Sequence, residues 1–217
     1  MIETLKLINY RSSAQCETIG MSCIDSFPAT TYTFQSGKVY RLTSDFGCGS
    51  WGMVTCIGGR GDVGFSGKIM LNDVEADTRI LKNHSGFIAE SYFPDVNTTD
   101  DPCTAHECIN RALNISGLNY STNEIKSIFH LTDNRFDRPL NQISGEIWLA
   151  STAIWFSLDK DIFCFPWLNM RNFFRFETMK EFGIIDFLRK RKKLVLVPTS
   201  RRTFFEKSTK GVTIKQL

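Results

Sequence analysis

The sequence predicts an α/β fold, and three patterns along the chain lead to that prediction. The first third contains short β-type segments between turn-forming or polar residues, which favours an N-terminal antiparallel β part. The middle contains helix-start signals, and the last part returns to alternating helical and buried-strand patterns. At 217 residues with 42% hydrophobic side chains, the chain is long enough to bury a substantial core. We expect a single domain over residues 1–217, with a small helical insertion at about residues 90–142.

The N-terminal strands are predicted from clusters of β-branched and aromatic residues. A hairpin-type turn, Gln35-Ser36-Gly37-Lys38, comes directly before the last of them. A later strand that runs into a turn is predicted at residues 67–73. The N-terminal segments are Thr4–Asn9, Thr18–Ile24, Thr30–Phe34 and Lys38–Thr43.

A glycine-rich turn after the strand at Lys38–Thr43 is the most informative segment. It is followed by a predicted helix over Ser50–Ile57, which gives the strand, turn and helix order of a phosphate-binding loop. A working loop carries Lys and then Ser or Thr after its second glycine, where this chain has Ser50 and Trp51. We expect Trp51 to fold over the loop and fill the empty site. The candidate phosphate-loop residues are Gly47, Cys48, Gly49, Ser50, Trp51 and Gly52.

The later helices and strands are predicted from helix-start signals and apolar content. Thr104 begins a helix that runs to Leu113, and Ser121 with Glu124 fits a capping box. Apolar runs predict buried strands around these helices. The remaining predictions are helices at Ile125–His130, Ser144–Phe156 and Met170–Phe182, and strands at Gly86–Ser91, Asp161–Phe165 and Leu194–Val197.

The cysteine pattern predicts no metal site. The chain has seven scattered cysteines and no C-x-x-C pair. Cys103, His106 and Cys108 form the nearest approach to a metal-ligand cluster, but the second half of a zinc motif is missing. Free, mostly buried thiols in a reducing compartment are therefore the preferred interpretation.

Charge is placed unevenly along the chain. Residues 171–217 hold 13 of the 26 Lys and Arg residues and four of the 23 acids, a local net charge of +9 (13 minus 4), which leaves −6 (13 minus 19) for residues 1–170. A solvated surface, an acidic partner and an anionic membrane surface all fit this distribution. Nucleic acid is disfavoured, because no recognisable reading module accompanies the basic run. The N-terminus lacks a signal-peptide layout, so we expect a cytoplasmic protein.

Read in order, these segments resemble the nucleotide-binding domain of ABC transporters over roughly residues 1–213. The resemblance implies a P-loop NTPase-like fold with an N-terminal antiparallel β part and a small helical subdomain. It rests more on spacing than on identical motifs, and Glu90 stands where the family has its loop glutamine. The matching segments are Gln35–Tyr40 before the phosphate loop, Ser44–Gly52 for that loop, Phe65–Asn72 for the next strand, Gly86–Glu90 for the glutamine loop and Thr104–Cys108 for a helix start.

The segment Gln142-Ile143-Ser144-Gly145-Glu146 resembles a degenerate form of the family's Leu-Ser-Gly-Gly-Gln signature. An ungapped comparison puts Ile143 in place of the signature serine, and a shift of one residue puts Ser144 there. Ser144, Gly145 and Glu146 are the candidate signature residues, which would present amides to a phosphate held by a partner. The alternative is that Ser144 is only a helix cap.

The residues that carry out the family's chemistry are replaced throughout. The resemblance implies a lysine and a serine for phosphate and magnesium, an aspartate for magnesium, a glutamate for the attacking water and a histidine for the γ-phosphate. Because phosphoryl transfer depends on positioned charge, we expect no ATP hydrolysis, no catalytic residues and no metal site. The replacements are Ser50, Trp51, Pro166, Trp167 and Ser200.

The resemblance implies a degenerate ATP-binding subunit that acts as a structural or regulatory partner. Its partners would be a transmembrane permease or a second ATPase subunit, in a homodimer or heterodimer at the inner face of the membrane. One alternative is an atypical subunit that binds ATP and magnesium with Lys38, Lys68 or Arg60. Another is a stand-alone binding module. The aromatic stretch Phe163–Phe176 and the basic C-terminal region are candidate contact surfaces.

Overall fold

Two β-sheets and a set of helices make up the computed structural model of the chain. It describes residues 1–18, 21–45, 47–60, 64–90, 93, 103–200 and 211–212. No helix within these ranges is long and apolar enough to cross a membrane. The strands are β1 Thr4–Thr18, β2 Met21–Gln35, β3 Val39–Thr43, β4 Gly64–Leu71, β5 Val74–Glu75, β6 Ser85–Phe87, β7 Ile162–Cys164, β8 Leu194–Thr199 and β9 Gly211–Val212. The helices are α1 Ser50–Ile57, α2 Thr78–His84, α3 Ala105–Ser116, α4 Thr122–Ile128, α5 Asp133–Phe136, α6 Ile147–Ser157, α7 Met170–Glu181 and α8 Ile184–Lys190, with a 3₁₀ turn at Leu140–Gln142.

The N-terminal sheet is antiparallel and has the strand order β2-β1-β4-β5. Its main feature is the hairpin of β1 and β2, which pair along their whole length from Thr4↔Gln35 to Thr18↔Met21. Residues 21–24 of the predicted segment Thr18–Ile24 and the predicted segment Thr30–Phe34 therefore belong to one strand, β2, whereas Thr18 is the last residue of β1. Pro28 lies between the two predicted segments. A proline is tolerated here because β2 is an edge strand, in which an N–H group on the outer side has no neighbouring strand to pair with.

The second sheet is parallel, with the order β6-β7-β8-β3-β9. Both of its faces are buried, which explains the continuous apolar runs in its sequence. Val39 and Val195 belong to the core shared with the later helices, whereas Leu42 and Leu196 belong to the core shared with α1 and the antiparallel sheet. Because the strands are parallel, their carboxyl ends meet at one edge, where open α/β sheets bind ligands.

Helix boundaries follow local capping chemistry where the sequence supplies it. Thr104 and Glu107 form a capping box at the start of α3, and Ser121 and Glu124 form one at the start of α4. The predicted helix over Ser50–Ile57 is α1. The structure adds α2 and α8, which are seven residues each and too short for a clear apolar period. Helices α3, α4 and α5 lie within the segment predicted as a helical insertion, of which residues 91–92 and 94–102 are outside the described ranges.

The contact between Gly86 on β6 and Trp155 on α6 fixes this helix against the parallel sheet. The indole Nε1 of Trp155 donates a hydrogen bond of 2.9 Å to the carbonyl of Phe87. A Cβ atom at Gly86 would lie 2.3 Å from Cγ of Trp155. The helix can approach the strand this closely only because residue 86 has no side chain.

We predict that Gly86→Ala lowers the free energy of unfolding by about 3 kcal/mol, because overpacking forces the indole and its helix outward. Chemical denaturation followed by circular dichroism measures the change. Gly64→Ala is the matched control, since a Cβ there meets only the carbonyl oxygen of Ser13 at 3.9 Å, and surface changes of this kind stay within about 0.5 kcal/mol. Equal stabilities of the two variants would contradict the prediction.

Candidate functional site

The carboxyl edge of the parallel sheet brings the predicted phosphate loop close to the ends of neighbouring strands. The amide of Ser44, directly after β3, donates to the carbonyl of Thr199 at the end of β8 at 3.2 Å. The amide of Leu168, after β7, donates to the carbonyl of Pro198 at 3.0 Å. The loop, the residues after β7 and Ser200 therefore lie along one edge, as the sequence comparison with the ABC family requires.

The loop itself is built by two glycines with left-handed backbone and by a pair of serines. Gly47 and Gly49 have φ angles of +82° and +91°, a region that favours glycine. The hydroxyl of Ser44 donates to the hydroxyl of Ser50 at 2.7 Å. Ser50 stands where the family has its lysine and is 1% exposed, so this position offers a neutral, internally bonded hydroxyl.

The backbone amides of the loop are occupied by a carboxylate from the N-terminal hairpin. Asp25 on β2 accepts a hydrogen bond from the amide of Gly49 at 2.7 Å and one from the amide of Gly52 at 2.6 Å, each with a different oxygen. Its side chain is fully buried. Trp51 is half-buried, and its placement over the loop stays a prediction; the group bonded to these two amides is the Asp25 carboxylate, since indole has no acceptor. Sequence reasoning missed Asp25 because it lies 24 residues before Gly49.

Of the described residues that directly follow β7 and β8, Pro166, Trp167 and Ser200 carry no charge. Pro166 is half-buried and Trp167 is 7% exposed. The carbonyl of Trp167 accepts a hydrogen bond of 3.0 Å from the side-chain amide of Asn172. Ser200 is exposed in a bend after β8. The resemblance described above predicts that these positions correspond to the family's magnesium ligand, general base and switch histidine; in this chain they carry a proline ring, an indole and a hydroxyl.

The residue in the glutamine-loop position forms an ion pair. Glu90 is bonded to the guanidinium of Arg60, which also lies 4.6 Å from the ring centre of Phe87. Burial raises the pKa of Glu90, and the charge of Arg60 opposes that rise. Lys68 pairs with Glu75 at 2.7 Å, and Lys38 with the side chain of Gln35. The three cations named as substitute phosphate ligands thus have other partners.

The candidate signature residues form an exposed turn before α6. Ser144 and Gly145 are exposed, whereas Ile143 is 1% exposed and belongs to the core. The N-cap of α6 is Glu146 and not Ser144, which corrects the helix-cap alternative. The carboxylate of Glu146 turns away from its helix and accepts from the hydroxyl and the amide of Thr132 at 2.8 and 3.1 Å.

Cys103, just before α3, and Cys108 on α3 lie close enough for their thiols to interact, whereas His106 has a different partner. His106 bonds Asp137 at 2.9 Å, and the thiol of Cys103 accepts from Arg111 at 3.3 Å. Burial raises the pKa of Cys108 to about 12. Within the described ranges, no group of three or more His, Cys, Asp or Glu side chains could hold a metal ion.

Part of the basic C-terminal region has structural partners. Lys193 is 5% exposed and pairs with Asp159 at 2.7 Å. Arg189 pairs with Asp186 at 3.1 Å, and the guanidinium of Arg191 lies 5.4 Å from the ring centre of Tyr120. Residues 201–210 and 213–217, which hold five of the 13 Lys and Arg residues of this region, lie outside the described ranges.

Comparison with solved structures identifies the fold. A protein from Pyrococcus furiosus, assigned as the ATP-binding protein of an ABC transporter, has a TM-score of 0.63 and 14% identity over 96% of both chains. The dimeric post-hydrolysis state of an ATP-binding cassette bound to ADP and Pi has a TM-score of 0.59 and 15% identity over 91% of this chain and 88% of that one. Clostridium perfringens cbiO1, part of the ABC transporter complex cbiONQ, has a TM-score of 0.57 and 13% identity over 93% and 80%.

The chain has the fold of an ABC-type ATP-binding cassette. No family model and no curated protein matches its sequence. At identities of 13–15%, the structural likeness concerns the fold alone. The predicted α/β fold with an N-terminal antiparallel part is confirmed, and the chemistry of the site has to be judged from this chain's own residues.

The buried Glu90 predicts a pH-dependent effect of substitution. Its pKa in the folded state is raised above 4.5, so the folded state holds the proton more tightly and loses stability as the pH rises through that raised pKa. Gln cannot ionise, and Glu90→Gln removes this loss. The stability of the variant relative to wild type should therefore increase as the pH rises from 4.5 towards neutrality.

Urea unfolding at several pH values measures this difference. Glu75→Gln, in the exposed pair with Lys68, is the control for the removal of a surface ion pair. A difference between Glu90→Gln and wild type that stays flat or falls as the pH rises would contradict the assigned direction.

Proposed function

We propose that this chain is a degenerate ABC-type cassette subunit that does not hydrolyse ATP and serves as a structural or regulatory partner. One observation carries the proposal. The edge of the sheet where the cassette fold performs its chemistry offers no charged side chain at the five positions that the chemistry requires. Those positions hold Ser50, Trp51, Pro166, Trp167 and Ser200.

The replacement of these residues matters because ATP hydrolysis depends on charged groups that are held in position. Stabilisation of the transferring phosphoryl group comes from a loop lysine, a magnesium ion and its carboxylate ligands. Removing a single oxyanion donor from an enzyme costs about 10²–10³ in rate. At this edge the lysine, the metal ligands and the base are replaced together, so hydrolysis by this chain alone is not expected.

An atypical ATP-binding subunit is the weaker alternative. It would need another cation to reach the phosphates, and Arg60, Lys68 and Lys38 are bonded to Glu90, Glu75 and Gln35. It would also need free loop amides, and the carboxylate of Asp25 bonds those of Gly49 and Gly52. We therefore assign no cofactor of its own to this subunit.

The proposed partners are a transmembrane permease, an active second cassette or both. Two of the similar structures are dimeric cassettes, and a third is part of an ABC transporter complex. On this chain, the exposed turn of Ser144 and Gly145 remains available to a facing subunit. In this arrangement the subunit lies at the inner face of the membrane through its partner.

We predict that the purified chain shows no saturable binding of a labelled ATP analogue at millimolar nucleotide and releases no phosphate from magnesium-ATP. Equilibrium dialysis and a phosphate-release assay measure the two quantities, and Ser50→Ala should leave both unchanged. The proposal fails if the chain hydrolyses ATP at a rate typical of ABC cassettes and if Ser50→Ala or Trp167→Ala abolishes that activity.

We predict that the chain co-purifies from native membranes with a multi-span permease or a second cassette. Ser144→Trp places a large side chain on the exposed signature turn and should reduce the recovered partner. Val74→Trp, at a position that is 65% exposed on the β4–β5 hairpin, is the matched control and should not. Recovery of the chain alone, without membrane association, would favour a stand-alone binding module instead.

A further inference from the structure

Asp25 is a buried charge whose stabilisation comes from the loop. Its side chain is fully buried, and within the described ranges no lysine, arginine or histidine forms an ion pair with it. A buried carboxylate without a counter-charge is strongly disfavoured. The two short bonds from the amides of Gly49 and Gly52, together with the positive end of α1, provide the compensation.

The helix depends on Asp25 in the same way. Gly49 is the N-cap of α1 and Gly52 is its third residue. In a capping box, side chains at these two positions satisfy each other's amides, and here both residues are glycines without side chains. The carboxylate of Asp25 bonds both amides at once and replaces both missing side chains. These amides belong to the group that a phosphate accepts from in a working loop.

The hairpin also packs closely against the backbone of the two glycines. A Cβ atom at Gly49 would lie 2.4 Å from Cβ of Phe27, and one at Gly52 would lie 3.2 Å from Cβ of Ala14. The amide of Ser26 donates to the carbonyl of Gly47 at 3.4 Å. An oxyanion on the same amides would overlap with the carboxylate of Asp25 and repel it, so the two exclude each other.

We propose that Asp25 is a resident intramolecular ligand of the phosphate loop, an autoinhibitory contact that keeps the loop folded without nucleotide and excludes external oxyanions. The proposal deepens the proposed function, since it rests on that site being a former nucleotide site. Inorganic phosphate, the smallest ligand of such a loop, is the probe. It gains access only when the carboxylate of Asp25 is removed.

The test compares thermal unfolding of wild type and Asp25→Ala with inorganic phosphate or with sodium chloride at equal ionic strength. Wild type should show no specific response to phosphate. Asp25→Ala should melt about 10 °C lower, because two buried amides lose their acceptor. Phosphate at ten times its dissociation constant should then raise the melting temperature of Asp25→Ala by about 4 °C.

Two further variants keep the test decisive. Asp77→Ala removes the exposed cap of α2, whose carboxylate accepts from Ile80 at 2.8 Å, and should lower stability without any phosphate response. Asp25→Asn preserves the volume and one acceptor, so it remains informative if Asp25→Ala does not fold. Hydrogen exchange at the amides of Gly49 and Gly52 should be slow in wild type and faster in Asp25→Asn.

The inference is overturned if phosphate stabilises wild type as much as Asp25→Ala, if Asp25→Ala folds and gives no phosphate response, or if amide exchange is the same in wild type and Asp25→Asn. Its failure is distinguishable from failure of the proposed function. If wild type neither binds nor hydrolyses ATP and Asp25→Ala gives no response to phosphate, only the proposal that Asp25 is a resident ligand is rejected. Wild-type ATP hydrolysis rejects the proposed function directly.

Discussion

The contact between the Asp25 carboxylate and the amides of Gly49 and Gly52 couples the two sheets of this protein. Asp25 belongs to the antiparallel sheet, and the amides begin the helix that follows the first strand of the parallel sheet. Each side supplies what the other lacks: the buried charge needs donors, and the first turn of the helix needs an acceptor. The β1–β2 hairpin carries Asp25 to the loop, where Asp25 pairs with Ala14 across the hairpin.

Fold and chemistry are separable in this chain because they rest on different residues. The parallel sheet is held by apolar side chains on both faces, including Val39, Leu42 and Val195, and burial of such surface is the main driving force of folding. The reaction of the fold depends on a few charged groups at one sheet edge. Exchange of these groups for neutral ones, as at Ser50 or Trp167, leaves the apolar pattern intact. The cassette fold of this chain therefore does not depend on charged side chains at these two positions.

Local signals predicted those elements whose cause is local. The helix over Ser50–Ile57 and the capping boxes at Thr104 and Ser121 could be predicted because turn, cap and helix adjoin in sequence. The unbroken β2 strand could not, since Pro28 interrupts its pattern and only its edge position makes the proline harmless. The role of Asp25 could not be predicted for a related reason. Its partners lie 24 and 27 residues away, and no neighbouring residue indicates that it caps a helix.

Gly49 and Gly52 of the loop each have an explanation in the packing of this chain. In a working loop, glycine lets the backbone approach a phosphate. Here Gly49 has a φ angle of +91° and meets the backbone and side chain of Phe27 where a Cβ would stand, so an internal contact alone requires glycine. Gly52 is held in the same way against Ala14 and Asp25. The second glycine of the Gly-Cys-Gly turn and Gly52 are therefore explained by the packing of the chain upon itself, and glycines at these two positions are not by themselves evidence for a bound nucleotide.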